Sequence, residues 1–182
     1  MMRSILFSLL VSVSVSVAQT TFSGRLVVVP NWTHTKTAGA SSVTENYGNM
    51  YDWTHSSGTN ANQMQTVVAA AHTLTNGQAS VINLRSAVNS FGDSVSFSAV
   101  KFLAVVADGS NTDAVLVGDA ETDPFVSWAG GTNGVLGVAP GGMGMLVAPV
   151  AGYAVATNSC NLRLLNTGTN QAECVVYIGG IE

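Results

Sequence analysis

Residues 100–107 constrain the fold more than any other stretch of the sequence. They read Val-Lys-Phe-Leu-Ala-Val-Val-Ala, so a strand here is apolar on both faces except at Lys101. Such a strand is typical of the centre of a sheet that is covered on both sides. The polar turn 108–113 and the apolar residues 114–117 follow directly. The stretch 95–117 therefore predicts a hairpin whose first strand lies at the centre of the fold.

Turn-forming residues recur at intervals of about ten residues along the rest of the chain. Pro140 and Gly141, for example, suit the two central positions of a type II turn. Only 9% of the residues are charged, and Lys and Glu, the usual residues of helix surfaces, are scarce. The apolar segments between the turns predict strands at residues 22–29, 65–74, 80–84, 125–128, 135–138, 143–148, 153–157, 162–165 and 174–178.

The domain organisation follows from the length and from this pattern. The polar segment 31–62 is expected to hold one strand and two loops. With 182 residues the chain has the length of one domain with a proper core. Many short strands and almost no helix predict a single all-β domain, a jelly-roll-like antiparallel β-sandwich over residues 19–182.

The first 18 residues allow two interpretations. Met1, Met2 and Arg3 precede a largely apolar segment 5–17, and small residues at 16 and 18 complete the pattern of a signal peptide cut after Ala18. Valine and serine also alternate over residues 11–17, as in an amphipathic strand, so the segment is alternatively an N-terminal arm. The apolar run is too short for a transmembrane anchor. We favour the signal peptide.

The two cysteines, Cys160 and Cys174, suit one disulfide if the chain is exported, or two reduced thiols. If strands 162–165 and 174–178 pair across the turn 166–170, Leu162 lies opposite Cys174, and the two cysteine Cα atoms are about 8 Å apart. An unstrained disulfide does not span that distance, although a bulge would shift the register. We therefore expect two reduced, half-buried thiols.

The motifs of common catalytic and cofactor sites are missing from the sequence. His34, His55 and His72 lie in separate segments without the spacing of a zinc site. There is no Gly-x-Ser-x-Gly elbow, and the glycine-rich segment 141–144 lacks the lysine and helix of a phosphate-binding loop. A net charge of −4 with six scattered Lys and Arg residues leaves no basic face for nucleic acid or an anionic membrane. We expect neither an enzyme nor a bound cofactor.

Acidic residues in turns form one weak candidate for an ion site. Asp108 and Asp113 bracket one loop, and Asp119, Glu121 and Asp123 follow the next strand. If the fold brings both loops to one edge, their oxygens are suitable ligands for Ca²⁺. Polar turns also use Asp and Asn for their own backbone geometry, which is the simpler explanation. We therefore expect no metal.

Four aromatic residues, Trp32, Tyr47, Tyr51 and Trp53, are spaced through the polar segment 31–62. Exposed at a loop face, they would stack on sugar rings and bind glycan. Aromatic residues also bury large areas in cores and subunit interfaces, so we expect them rather to close the sandwich or pack on a neighbouring subunit. The low content of charged residues likewise leaves the surface poorly protected against association. The sequence therefore predicts a homo-oligomer or a larger assembly.

A series of turn and strand motifs runs in order from residue 58 to residue 179. The motifs are Gly58-Thr-Asn-Ala-Asn-Gln63, Thr73-Leu74, Ile82-Asn-Leu84, Phe91-Gly92-Asp93, Gly109-Ser-Asn-Thr-Asp113, Val115-Leu-Val-Gly118, Trp128, Pro140-Gly-Gly142, Val147-Ala-Pro149, Gly152-Tyr-Ala-Val155, Leu162-Arg-Leu-Leu-Asn-Thr-Gly168 and Tyr177-Ile-Gly179. Through them, about two-thirds of the chain resembles a family of small β-rich structural proteins of tailed phages, prophages and environmental viruses. Similar proteins begin near the segment 20–25 without an export leader, and they carry Thr, Ser or Ala where this chain has its two cysteines.

The resemblance implies a non-enzymatic virion subunit of capsid-associated, decoration or fibre-like type. Such a protein would reside in the virion and contact capsid or other virion proteins. The alternative from the residues themselves is a secreted β-sandwich binding module, or an extracellular fibre or adhesin subunit. That module would recognise surface glycan through Trp32, Tyr47, Tyr51 and Trp53.

Overall fold

The computed structural model describes residues 23–29, 31–38, 41–48, 50–131 and 134–182. The segment 1–18, with both interpretations of it, lies outside the described residues. Those that are described form β-strands and no helix, and accordingly no helix that could cross a membrane. The strands are β1 (Ser23–Val28), β2 (Asn31–Ala38), β3 (Ser41–Gly48), β4 (Tyr51–Ser57), β5 (Gln63–Met64), β6 (Thr66–Leu74), β7 (Ala79–Asn83), β8 (Ala87–Val88), β9 (Ser94–Val95), β10 (Ala99–Ala107), β11 (Val115–Gly118), β12 (Val135–Val138), β13 (Met143–Val147), β14 (Tyr153–Ala154), β15 (Asn161–Asn166) and β16 (Ala172–Ile181).

Two facing sheets form the body of the protein. One has the strand order β13-β10-β16-β6, with β14 also paired to β10, and the other has the order β12-β11-β15-β7. All pairings within these two sheets are antiparallel. Alternate apolar residues of both sheets meet in one core that includes Phe97, Leu103, Phe125, Leu162 and Leu164. The prediction of a single all-β, sandwich-like domain is confirmed.

The chain passes from one sheet to the other at almost every connection. The two sheets contain eight main strands, which we number one to eight along the chain: β6, β7, β10, β11, β12, β13, β15 and β16. In this numbering the strand orders of the two sheets are 6-3-8-1 and 5-4-7-2. Only the step from β11 to β12 joins neighbours within a sheet. This interleaving is consistent with the jelly-roll-like arrangement that the turn spacing predicts.

Strand β10 is central, as predicted, because β16 pairs with one of its edges and β13 and β14 with the other. Leu103, Val105 and Ala107 face the core. A register shift between Val100 and Phe102 leaves Lys101 as the extra residue of a β-bulge. The bulge re-aims the Lys101 side chain, which is 0% exposed.

The predicted hairpin 95–117 is wrong, because β10 and β11 belong to different sheets. The loop between them is held against β16 by Asn111, whose Nδ2 donates to the Glu173 carbonyl at 2.8 Å and whose Oδ1 accepts from the Glu173 N–H at 2.8 Å. These bonds direct the chain across the sandwich edge instead of back along β10.

The predicted pairing of strands 162–165 and 174–178 is wrong for the same reason. Strand β15 pairs with β11 and β7, whereas β16 pairs with β10 and β6 in the other sheet. The buried Asn166 fixes this crossing, because its Nδ2 donates to the carbonyls of Leu74 at 3.0 Å and Asn170 at 2.6 Å.

Residues 31–62 hold more regular structure than predicted. Strands β2 and β3 form a two-stranded sheet, and β4 pairs antiparallel with β1 and parallel with β5. Where side chains are described in these strands, polar ones such as Thr33, Thr35 and Thr44 are exposed. Because these strands carry little apolar periodicity, the sequence pattern for a strand is weak here.

The predicted strand 125–128 is a turn. The Ala129 N–H donates to the Val126 carbonyl at 2.9 Å, and Trp128 Nε1 donates to the Phe125 carbonyl at 2.8 Å. Phe125 is nevertheless buried in the core, so its apolar character reflects packing and not strand structure. The predicted turn at Pro140 is present, since Gly141 has φ +69° and the Gly142 N–H donates to the Ala139 carbonyl at 2.8 Å.

Candidate functional site

The four aromatic residues of the glycan hypothesis lie in two separate sheets. Tyr51 and Trp53 share one face of β4, and their rings stack with centroids 5.9 Å apart and planes 14° apart. Tyr51 is 47% exposed and Trp53 is half-buried, so the stack meets solvent. Trp32 and Tyr47 are backbone partners in the β2–β3 hairpin, and their side chains lie outside the described part of the structure.

The five acidic residues of the calcium hypothesis do not come together. Asp108 and Asp113 lie before β11, and Asp119, Glu121 and Asp123 follow its opposite end. Asp108 instead accepts hydrogen bonds from the Ser110 N–H at 2.8 Å and the Ser110 hydroxyl at 2.7 Å, which lower the pKa of its carboxyl. No group of three or more His, Cys, Asp or Glu side chains suitable for a metal occurs among the described residues. The acidic side chains belong to separate turns, and the premise of the calcium site fails.

The three histidines also lie apart, in β2, β4 and β6 of three different sheets. His72 Nδ1 lies 3.1 Å from the Ser80 hydroxyl, and its Nε2 is buried with no hydrogen-bond partner in the described part of the chain. Both cysteines are free and buried, and burial raises the pKa of each thiol. They are more buried than predicted, at 4% and 3% exposed for Cys160 and Cys174.

Among the described residues, the outer face of the sheet β13-β10-β16-β6 is an apolar surface that lies away from the core. We define the outer face as three adjacent rows of side chains that point away from the core, and the next row, with Glu173 and Thr73, lies beyond it. The rows are Val147, Phe102, Gly179 and Val67; then Met145, Ala104, Tyr177 and Ala69; then Met143, Val106, Val175 and Ala71. All twelve positions carry apolar or aromatic residues, and none carries a charge.

Much of the outer face meets solvent. Met143 is 58% exposed, Tyr177 39% and Val106 37%, and Ala69 and Ala71 are exposed as well. Large exposed apolar side chains that lie next to one another mark interaction surfaces more often than isolated ones do. The outer face is therefore a candidate docking surface.

Each end of the outer face has its own border. Leu26, His55 and Met64, from the β1-β4-β5 sheet, lie against the row that contains Phe102 and line a cavity of about 180 Å³ with it. At the far end, Val106 and Val175 form the floor of an open groove of about 390 Å³, which Asp108 and Glu173 border. The uncovered part of the face is thus apolar at its centre and acidic at one end.

Lys101 interrupts the apolar pattern of β10, and its side chain is nevertheless buried. Its Nζ donates to the carbonyl oxygens of Asn60 at 2.6 Å, Val150 at 3.0 Å and Pro149 at 3.3 Å. Burial lowers the pKa of this ammonium group. The side chain joins two loops to the central strand, which is a structural role. A lone lysine in a strand that is otherwise apolar on both faces is the sequence signal for it.

His55 is the second buried polar residue in this region. It is 2% exposed, and neither ring nitrogen has a hydrogen-bond partner among the described residues. Its pKa is lowered by burial and by the nearby Lys101 charge, and the Asn62 backbone opposes this shift. The imidazole is therefore neutral near pH 7 and packs against the Phe102 row.

Comparison of the chain with protein families, with characterised proteins and with solved structures finds no match. The resemblance to viral structural proteins accordingly stays a prediction from the sequence motifs.

Proposed function

We propose that the protein is a non-enzymatic structural subunit of a phage-like particle, which self-associates or docks on the particle surface. The observation that carries this proposal is the exposed part of the charge-free outer face of the sheet β13-β10-β16-β6, around Met143, Val106 and Tyr177. The motif resemblance to virion proteins supports it independently. The site of action would be the virion, and the partners would be further copies of the chain and capsid or other virion proteins.

The physical reason is the cost of leaving such a face in water. Burial of apolar surface contributes about 25 cal/mol per Å², so a contact that covers Met143, Val106 and Tyr177 is favoured without any charge pairing. Electrostatic repulsion between copies is small, because the net charge is only −4 over 182 residues. The acidic border formed by Asp108 and Glu173 favours an apolar partner surface that carries a basic group at its rim.

Sedimentation velocity of the full chain over a range of concentrations tests the proposal. The wild type is expected to form species larger than the monomer. The double variant Val106→Lys/Val175→Lys, at two neighbouring positions of the outer face, is expected to shift toward smaller species. Val88→Lys/Val135→Lys is the matched control, because both valines are exposed and lie off the face. A wild type that stays monomeric at every concentration would count against self-association.

The exposed Tyr51–Trp53 stack favours one alternative, a secreted module or adhesin subunit that binds surface glycan. Two aromatic faces near parallel to each other suit stacking on sugar rings. Glycan-array binding that Trp53→Ala abolishes would support this function. Phe91→Ala is the matched control, since Phe91 is 83% exposed and lies elsewhere on the surface. N-terminal sequencing of the native protein adds a separate criterion, because a start at Gln19 supports export and an intact Met1 supports assembly in the cytoplasm.

A further inference from the structure

Strand β6, at one edge of the sheet β13-β10-β16-β6, carries backbone N–H and C=O groups that no described residue bonds. The Asp108 N–H donates to the Glu173 carbonyl at 2.9 Å, continuing the β10–β16 ladder. Since an antiparallel ladder alternates, Glu173, Val175, Tyr177 and Gly179 bond toward β10, and the residues between them bond toward β6. The β6 residues paired with those are Thr66, Val68, Ala70, His72 and Leu74.

The intervening residues of β6 therefore point their N–H and C=O groups away from β16. These residues are Val67, Ala69, Ala71 and Thr73. Strand β6 has no neighbour on this side in the described sheet, and no turn or loop among the described residues bonds to these four residues. Ala69, Ala71 and Thr73 are exposed. The edge is accessible to another strand.

Strand β6 also lacks the features that usually protect an edge. Soluble proteins block edge pairing with charged residues, proline, bulges or very short strands. The sequence of β6, TVVAAAHTL, contains no charged residue apart from a histidine whose pKa burial lowers, and it contains no proline. All nine residues pair with β16 in unbroken register, so there is no bulge. The strand is nine residues long, whereas β13 at the opposite edge has five.

We propose that β6 pairs with β6 of a second copy of this chain, antiparallel and centred on Ala70, so that the two sheets join into one. The proposal deepens the proposed function by adding a second contact between copies at the edge beside the outer face, and it rests on that function only for self-association. A two-fold axis at Ala70 brings Val67 opposite Thr73 of the second copy and Ala69 opposite Ala71. All four outward-pointing residues then form hydrogen-bonded pairs, about eight bonds in total.

A second copy fits this edge better than an unrelated strand because the edge is complementary to itself. The three central residues are alanines, so the closest side chains across the axis are small and do not clash. No charged pair is brought together, so no like-charge repulsion opposes the contact. The joined sheets would also double the area of the apolar outer face that is offered to the particle.

Disulfide trapping tests both the edge and the register. In the proposed pair, Ala70 faces itself across a non-hydrogen-bonded position, where Cα atoms are about 4.5 Å apart, within the range of a disulfide. Ala71 lies two residues out of register with Ala71 of the second copy. This offset places their Cα atoms about 8 Å apart, beyond that range. Ala70→Cys is therefore expected to form a covalent dimer on mild oxidation, whereas Ala71→Cys is not. The wild type, whose two cysteines are buried, controls for native thiols.

The outcomes separate this inference from the proposed function. A chain that sediments as an oligomer, yet cross-links equally at positions 70 and 71 or at neither, overturns the β6 pairing and leaves the proposed function standing. A chain that is monomeric and does not cross-link at position 70 overturns both. Thermal unfolding of the reduced variants shows whether each has kept the wild-type fold. If either cysteine variant has not, the pair Ala70→Ser and Ala71→Lys is used instead, and the two are compared by sedimentation. In that comparison only Ala71→Lys is expected to lose the dimer, and equal sedimentation of the two overturns the pairing.

Discussion

Replacement of Lys101 by methionine tests whether a buried ammonium group holds two loops on the central strand. Methionine keeps most of the volume and the flexible stem, and it removes the charge and all three hydrogen bonds to Asn60, Pro149 and Val150. The change is therefore confined to the polar end of the side chain.

Three contributions set the expected size of the effect. The two shorter bonds are each worth about 1.5–3 kcal/mol, because the donor is charged. The carbonyls of Asn60 and Pro149 keep other donors, namely the N–H groups of Gln63 and Asn62, but Val150 has none among the described residues. Its carbonyl loses its donor at a cost of only about 1 kcal/mol, because Val150 is 68% exposed. Removal of a buried charge returns several kcal/mol of desolvation cost. The net loss is about 3 kcal/mol.

Urea unfolding and thermal melting measure this loss. At 182 residues, about 3 kcal/mol corresponds to a fall in Tm of about 6–12 °C. Faster hydrogen exchange at the Asn62 amide, which donates to the Pro149 carbonyl at 2.8 Å, is expected to accompany it. Arg85→Met is the matched control, since this exposed cation should change the free energy of unfolding by less than about 0.5 kcal/mol. A Lys101→Met protein as stable as the wild type would refute the proposed structural role of Lys101.

Three further predictions concern buried groups and backbone conformation. Because burial lowers the pKa of His55 in the folded chain, the unfolded chain takes up the proton first, and the free energy of unfolding should fall as pH drops below about 6.5. Urea unfolding of His55→Phe should show a weaker dependence of this free energy on pH. An unchanged pH dependence would argue against this role of His55. Cys160 and Cys174 should react with a thiol reagent only after unfolding, since both are buried and their pKa values are raised; rapid labelling of the native chain would contradict their burial. Both Gly118 (φ +111°) and Gly77 (φ +66°) have positive φ, but an added Cβ would meet neighbouring atoms only at Gly118. Gly118→Ala should therefore lower Tm clearly more than Gly77→Ala. Equal melting temperatures of the two variants would show that the contact is relieved at no cost.

Local patterns predicted most of the strands but not the sheets to which they belong. Strand β12 matches its predicted bounds, and β6 and β13 match within a residue, because apolar runs between turn formers are a local signal. The connections 108–114 and 167–171 read as hairpin turns, since polar turn residues serve a hairpin and a crossing between sheets equally well. What decides between them is a bond to a distant strand, as Asn111 makes to Glu173, and this is not visible in local sequence.

The candidate binding surfaces could likewise be predicted only in part from local sequence. The exposed Tyr51–Trp53 stack does not close the sandwich, which was one of the two roles expected of these aromatics, and packing on a neighbouring subunit stays a prediction. The exposure of the outer face could not be predicted from sequence. A strand that is apolar on both faces is expected to be buried on both faces. Phe102 and Ala104 support that interpretation, but Val106 on the same face is exposed. The burial of Lys101 depends on a bulge that only the register of β10 against β16 reveals.

The central claim is that copies of the chain pair through strand β6, the edge of the sheet β13-β10-β16-β6. Residue-resolved hydrogen exchange of the wild-type protein at low and high concentration tests it most directly. Val68, Ala70 and His72 should be protected at both concentrations, because their amides bond β16. Val67, Ala69, Ala71 and Thr73 should exchange fast in dilute solution and slowly in concentrated solution. Equally fast exchange of these four amides at both concentrations would contradict the claim.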